Sequence, residues 1–381
     1  MQPKMIYLDN ASTTSVYPEV LKTYSKLLEE KFVNSESLYD AGVELASTLE
    51  NSRASIARLM HVKKEEVIFT SGASEANSMI IKGIAFANMN SRKHLITTEI
   101  EHSSVANAMK QLEDYFGFEI TRLPVNQNGV ISLDDLKKAL RPDTLLVSIM
   151  MVNNEVGSIM PIKEISEIVK KNAGTYLHMD GVQALGKIDI DLSKIDCATF
   201  SAHKIHGLKG SGLCIKKQHV PLLPLINGGQ QEFHLRGGTE NALVNIMFAK
   251  TLRLTLENQK KSVEHCAKLK QLMIQELTKI DGIEINSPQD GVCSIVNFSC
   301  RQITSEVMMN ALNQRGFCVS AQSTCSSKSK AASHVLLAMG KSEKMAISSI
   351  RCSFSLENTE EEVLAFVQAC KECIEKYGTE N

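Results

Sequence analysis

The sequence lacks an excess of charge: the formal net charge is -1 over 381 residues, with a pI near 6.8. That balance gives no global electrostatic attraction to nucleic acid or to a membrane surface. No uncharged apolar run reaches spanning length, and the opening residues Met1-Gln2-Pro3-Lys4-Met5-Ile6-Tyr7-Leu8-Asp9-Asn10 lack the apolar core of a signal peptide. The expectation is a cytoplasmic protein. Ten cysteines are present, but they are scattered, and without a secretory signal reduced thiols are expected. Cys370 and Cys373 form a C-x-x-C within a terminal amphipathic helix with no second pair, so packing is expected there rather than a metal site. Repeats, low-complexity tracts and linkers are also absent.

What is present is a globular composition, 43% hydrophobic and 22% charged, in a chain long enough for two domains or one large domain with an appendage. Short β-prone runs at residues 66–70, 94–98, 118–123, 144–150, 176–179 and 197–200 alternate with helical patterns, among them 133–140 and 162–171. Such alternation predicts a mostly parallel sheet with helices on both faces, and in such sheets ligands gather at the carboxyl ends of strands. Residues 241–280 form a long helical pattern with few turn signals, and the domain change is placed within it. Beyond it, strands at 283–285, 294–298, 317–319 and 347–354 and a helix at 305–315 predict a small α+β domain. The expected division is a large domain over 15–255 and a small one made of 1–14 and 256–381.

Two residues at strand ends suggest chemistry. Lys204 follows a β-prone run and is flanked by small hydroxyl and glycine residues, a setting that can present an amine to a cleft. Asp180 ends the apolar strand Tyr176-Leu177-His178-Met179. Pyridoxal phosphate needs both a lysine to attach to its aldehyde and an acid to keep its ring nitrogen protonated. Upstream, the strand at 66–70 breaks at Ser71-Gly72-Ala73-Ser74 before a helix, and such a helix entrance can cradle a phosphate. His102 and Asn153-Asn154-Glu155 also fall just after strands.

Several stretches together resemble the cysteine desulfurases of the NifS/IscS type, class V members of the aspartate-aminotransferase fold. They are Tyr7-Leu8-Asp9-Asn10-Ala11-Ser12-Thr13-Thr14, Thr70-Ser71-Gly72-Ala73-Ser74-Glu75-Ala76-Asn77, Glu101-His102-Ser103-Ser104-Val105 and Val152-Asn153-Asn154-Glu155-Val156-Gly157, joined by the surroundings of Asp180 and Lys204, Arg236-Gly237-Gly238-Thr239-Glu240-Asn241, and Ser349-Ile350-Arg351. The resemblance spans nearly the whole chain and implies an α/β, aspartate-aminotransferase-like fold (fold type I PLP enzyme), with a large, mostly parallel sheet domain and a small α+β domain.

It also implies roles. Lys204 would hold pyridoxal 5'-phosphate, His102 would stack on its ring and move protons, Asp180 would hold the ring nitrogen, and Gln183 would donate to the phenolic oxygen. Ala73, Ser74, Ser201 and His203 would bind the phosphate, and Thr239 would reach the phosphate of a partner subunit in a homodimer. Asn154 and Arg351 would bind the substrate carboxylate, Arg351 through its bidentate fork. The serine-rich stretch Ser323-Thr324-Cys325-Ser326-Ser327-Lys328-Ser329-Lys330, read as a loop, puts Cys325 at the nucleophile position of the family's first subgroup. The implied reaction takes sulfur from L-cysteine, leaves L-alanine, and places the sulfur on Cys325 as a persulfide for a protein acceptor.

That acceptor could be a scaffold for iron-sulfur clusters, a tRNA-thiolation enzyme or another cofactor pathway. The chain ends at Asn381 without the long tail that housekeeping members use to dock a scaffold, which points toward a dedicated acceptor. Two departures from the family pattern are Asn34-Ser35-Glu36-Ser37-Leu38-Tyr39 and Gln322-Ser323-Thr324-Cys325. Two alternatives stay open: another class V enzyme, such as a selenocysteine lyase or an aminotransferase, and a non-catalytic sulfur-relay partner.

Overall fold

The computed structural model describes residues 5–321 and 332–378. A seven-stranded sheet runs in the spatial order Val67–Thr70, Gly212–Lys216, Cys197–Ser201, Tyr176–Asp180, Thr144–Met150, His94–Thr98 and Glu119–Leu123. Only Gly212–Lys216 is reversed; it pairs antiparallel with both neighbours, and the other pairings are parallel. The strand Thr144–Met150 is buried along its whole length, as its near-continuous apolar sequence requires in a sheet covered on both faces. Alternate residues feed opposite cores: Ile96 and Val147 pack on one face, Leu95 and Leu146 on the other. Each such fully buried aliphatic side chain contributes about 1.5–3 kcal/mol.

The helices Ala73–Ala87 and Ser103–Phe116 cover one face. Ser103–Phe116 stops at Gly117, whose φ of 68° makes a left-handed cap that a β-carbon would strain. The other face is covered by Asp40–Leu59, Ile162–Val169 and the start of Ala242–Leu277. This last helix is 36 residues long and enters a second core through Cys266, Leu269, Met273 and Leu277.

The second core lies under an antiparallel sheet ordered Ser349–Ser353, Ile295–Cys300, Ile283–Ile285, with the helices Ser305–Gln314 and Glu360–Tyr377 packed on it. A capping box between Thr359 and Glu362 opens the last helix. Cys370 and Cys373 are fully buried in it, and burial pushes both thiols up. The strand expected over 347–354 begins at Ser349, because residues Glu343–Ile347 form a short helix capped by the Ser342 hydroxyl. Five residues are too few for a helical period to show in the sequence. Ile6–Tyr7 pairs with Phe317–Cys318, so the start of the chain is tied into the small unit. Among the described residues, no helix is long and apolar enough to cross a membrane.

Candidate active site

The carboxyl ends of the parallel strands open onto a cavity of about 490 Å³. Val67–Thr70 delivers the chain to Ser71-Gly72 and then into the helix beginning at Ala73. The reversed strand passes this turn so closely that a β-carbon on Gly212 would lie 2.6 Å from the Gly72 Cα, which only glycine avoids. The Glu75 carboxylate accepts from the Ser71 amide at 3.0 Å and from the Arg236 Nε at 3.0 Å. Burial opposes its charge, but Arg236 and Ser71 outweigh burial and hold its carboxyl below the usual range. Among the described residues no side chain caps this helix, so its entrance keeps backbone donors for an anion.

Behind the turn lies a buried ion pair that motif reading missed. The Arg53 guanidinium grips Glu232 at 2.6 and 2.9 Å, and Glu232 also accepts from the Phe69 amide at 2.8 Å. These contacts hold three successive non-glycine residues, Glu232, Phe233 and His234, at φ of 49°, 58° and 63°.

Lys204 ends a single tight turn, Ala202–Lys204, directly after the strand Cys197–Ser201. Its Nζ donates to the carbonyls of Ala11 (2.8 Å) and Ser12 (2.7 Å). The turn is pinned from behind, where His206, at φ 65°, donates its amide to the Thr14 hydroxyl at 2.8 Å. His203 sits beside it with Nδ1 3.2 Å from the Thr13 hydroxyl. Burial, with help from the positive Lys204 and Lys209, pushes the His203 imidazole down to about 4.

Asp180 ends its strand with one carboxylate oxygen accepting from the Val182 amide (3.0 Å) and the other from the Asn77 side chain (2.8 Å). Gln183 donates to the Ala11 carbonyl at 2.8 Å and accepts from Lys187 at 2.5 Å. His102 caps the helix Ser103–Phe116, its Nδ1 accepting from the Ser104 amide at 3.2 Å. Burial lowers the His102 pKa. The preceding Glu101 is buried as well; its Oε1 accepts from Thr98 (2.7 Å) and from the Met150 amide (3.0 Å), and burial pushes its carboxyl up to about 8.

Arg351 arrives from the antiparallel sheet of the small unit. Its Nη2 donates to Asp9 (2.8 Å) and Ser12 (2.6 Å), and its Nη1 donates to the Asn154 carbonyl (2.9 Å). Its Nε is buried and has no partner among the described residues. A buried, unsatisfied guanidinium N–H is costly.

The structure therefore brings Ala73, Ser74, His102, Asn154, Asp180, Gln183, Ser201, His203, Lys204 and Arg351 onto one cavity. Thr239 does not line it; it is exposed on a neighbouring hollow with Arg236 and Glu240. Cys325 lies outside the described residues. The flanks of that segment are tied beside the cavity: Ser320 bridges to Arg351 in antiparallel fashion, and Ser333 donates to Glu155 at 2.6 Å. Residues with no role assigned from sequence also enter the site: Asp9 and Ser12 hold Arg351, and Asn77 and Ser104 adjoin Asp180 and His102. All four stood inside motifs, but nothing local showed what they would touch.

The donor set fits a phosphorylated pyridine aldehyde: a helix entrance with hydroxyls for a phosphate, an amine within the same cavity, and an acid at a strand end. A family profile described as Aminotransferase class-V matches residues 6–366, and the chain belongs to that family. The chain is 40% identical to a "NifS/IcsS protein homolog" of Lactobacillus delbrueckii subsp. bulgaricus, over 99% of both chains. It is also 39% identical to "Cysteine desulfurase IscS" of Dictyoglomus turgidum, covering 98% of this chain and 95% of that protein. Among solved structures, a "NIFS-LIKE PROTEIN" superposes with a TM-score of 0.92 at 36% identity, covering 98% of this chain and all of that one. Another, titled "SspA in complex with cysteine", gives 0.82 at 30% identity, covering 93% and 99%. The fold is that of the fold type I PLP enzymes.

Proposed function

We propose that this protein is a pyridoxal phosphate-dependent cysteine desulfurase that converts L-cysteine to L-alanine and passes the sulfur to Cys325 as a persulfide. The observation that carries the reading is the meeting of Lys204, Asp180 and Arg351 on one cavity. When bound, the cofactor supplies an aldehyde for the amine and an electron sink for charge developing at Cα. Lys204 would hold it through Nζ, and the same amine would take the Cα proton. Asp180 keeps a proton at the ring nitrogen, its own position fixed by Val182 and Asn77. The helix entrance at Ala73 and Ser74, with Ser201 and His203, holds the phosphate, while Gln183 serves the phenolic oxygen. Arg351 and Asn154 orient the substrate carboxylate, which places the substrate thiol for attack by Cys325.

Thr239 belongs in this reading to the phosphate site of a second copy, so the working unit is a homodimer. Its exposure, together with that of Leu28, Phe32 and Leu38, supports a surface that another chain covers. The sulfur leaves the cytoplasmic enzyme for a protein acceptor, either a scaffold or a tRNA-thiolation enzyme. Intact-protein mass spectrometry after exposure to L-cysteine, with the added sulfur mapped, tests the assignment. The expected result is one sulfur on Cys325 and release of alanine. Unchanged turnover in Cys325→Ser would instead fit a lyase that needs no protein thiol.

A further inference from the structure

The side chains around His102 determine which of its nitrogens carries the proton. Asn77 is fully buried, and its Nδ2 lies 2.8 Å from Asp180 Oδ2 and 2.9 Å from the Ser104 hydroxyl. Its Oδ1 accepts from the Thr199 hydroxyl at 2.6 Å. A carboxylate oxygen accepts, so the atom facing Asp180 is the amide nitrogen, and its second hydrogen goes to Ser104. The Ser104 oxygen is thereby an acceptor from Asn77, and its single O–H remains to be donated. The atom it meets is His102 Nδ1 at 2.8 Å, which also receives the Ser104 backbone N–H at 3.2 Å. Two donors converge on Nδ1, and a nitrogen that accepts from both carries no hydrogen of its own.

We infer that Asn77 and Ser104 are positioning residues that lock His102 in the Nε2–H tautomer, so that the ring offers the cavity a hydrogen-bond donor rather than a lone pair. The inference rests on the desulfurase reading only for its catalytic meaning; the tautomer follows from the contacts alone. Burial favours the neutral ring, the positive Lys204 and the neighbouring His334 add to it, and Asp180 and Glu155 oppose it. The catalytic consequence is a division of labour. His102 donates to a substrate or cofactor atom through Nε2, and the Cα proton goes to the Lys204 amine, because the imidazole lone pair is occupied on the far side of the ring. The chain Asp180–Asn77–Ser104–His102 also ties the orientation of the histidine to the acid at the ring nitrogen.

The test is nitrogen NMR of holoenzyme carrying ¹⁵N-histidine, with the His102 signal assigned by its loss in His102→Gln. The expected spectrum shows the proton on Nε2 and the lone pair on Nδ1. Removing a hydrogen bond worth about 1 kcal/mol changes an equilibrium several-fold to about tenfold, so Ser104→Ala should shift the tautomer ratio by that factor toward Nδ1–H and raise the His102 pKa. Ser104→Thr keeps a hydroxyl and should restore the wild-type spectrum. An Nδ1–H signal in the wild-type protein, or a Ser104→Ala spectrum identical to wild type, would overturn the inference. The predicted spectrum in a holoenzyme that releases no alanine supports the tautomer and overturns only the desulfurase reading.

Discussion

Two walls of one cavity are built on different plans. The Lys204 wall grows from a strand end, where Ser201, His203 and Lys204 follow one another within a few residues, and one remote stretch steadies it through the Ala11 and Ser12 carbonyls and the Thr14 hydroxyl. The Arg351 wall comes from the small unit, and its guanidinium is held by groups far away in the chain, including an Asp9 carboxylate 342 residues distant. One wall takes its residues from a single short segment steadied by one remote stretch, whereas the other exists only when the chain's beginning, its middle and its end have assembled.

The largest expected effect lies on the first wall. Lys204→Ala should lower alanine release at least about 10³-fold, since under the proposed function it removes both the cofactor's attachment and the base. Release within tenfold of wild type would break the contrast outright. On the second wall, Arg351→Lys keeps the charge but loses the fork and should reduce kcat/KM for L-cysteine about 10²-fold. The same change should leave cofactor absorbance and its retention on gel filtration unaltered. If cofactor is lost as well, the two walls are not separable.

Asp9→Asn should be milder, raising KM about tenfold with kcat nearly unchanged, because Ser12 and the Asn154 carbonyl still hold Arg351. Steady-state kinetics would show the split. An equal fall in kcat would mean that Asp9 acts on the chemistry and not on the seat of the carboxylate.

The smallest effect concerns stability. His178, two residues before Asp180, is fully buried, and burial pushes its pKa down to about 3 from the ordinary 6.5. Its ring contacts the Ser148 hydroxyl at 2.8 Å. Unfolded chain takes up a proton below about pH 6.5 that the folded chain refuses. Stability is therefore full above that pH and falls by about 1.4 kcal/mol per unit as pH drops from about 6.5 toward 3. Denaturant unfolding at pH 7 and pH 5 measures this, and equal stabilities would show that His178 is not held neutral.

The same contrast explains what could be read from sequence. Strands such as His94–Thr98 and Thr144–Met150 were legible to the residue because they are short runs rich in β-branched and aliphatic side chains, and parallel order followed from the alternation with helices. Lys204 and Asp180 were legible because strand ends in such sheets face ligands. Asp9 was not, because its partner is decided by assembly rather than by its neighbours. Nor was the Arg53–Glu232 pair, whose members stand 179 residues apart and signal nothing locally. Asn77 was hidden differently: a helical asparagine reads as ordinary until Asp180, Ser104 and Thr199 surround it.

The helix Ala242–Leu277 runs through both units, and at 1.5 Å per residue its 36 residues measure about 54 Å. A rod of that length, anchored at one end by Phe248 and Leu252 and at the other by Leu269 and Met273, works as a shared axle. Any swing of the small unit away from the sheet has to bend that axle.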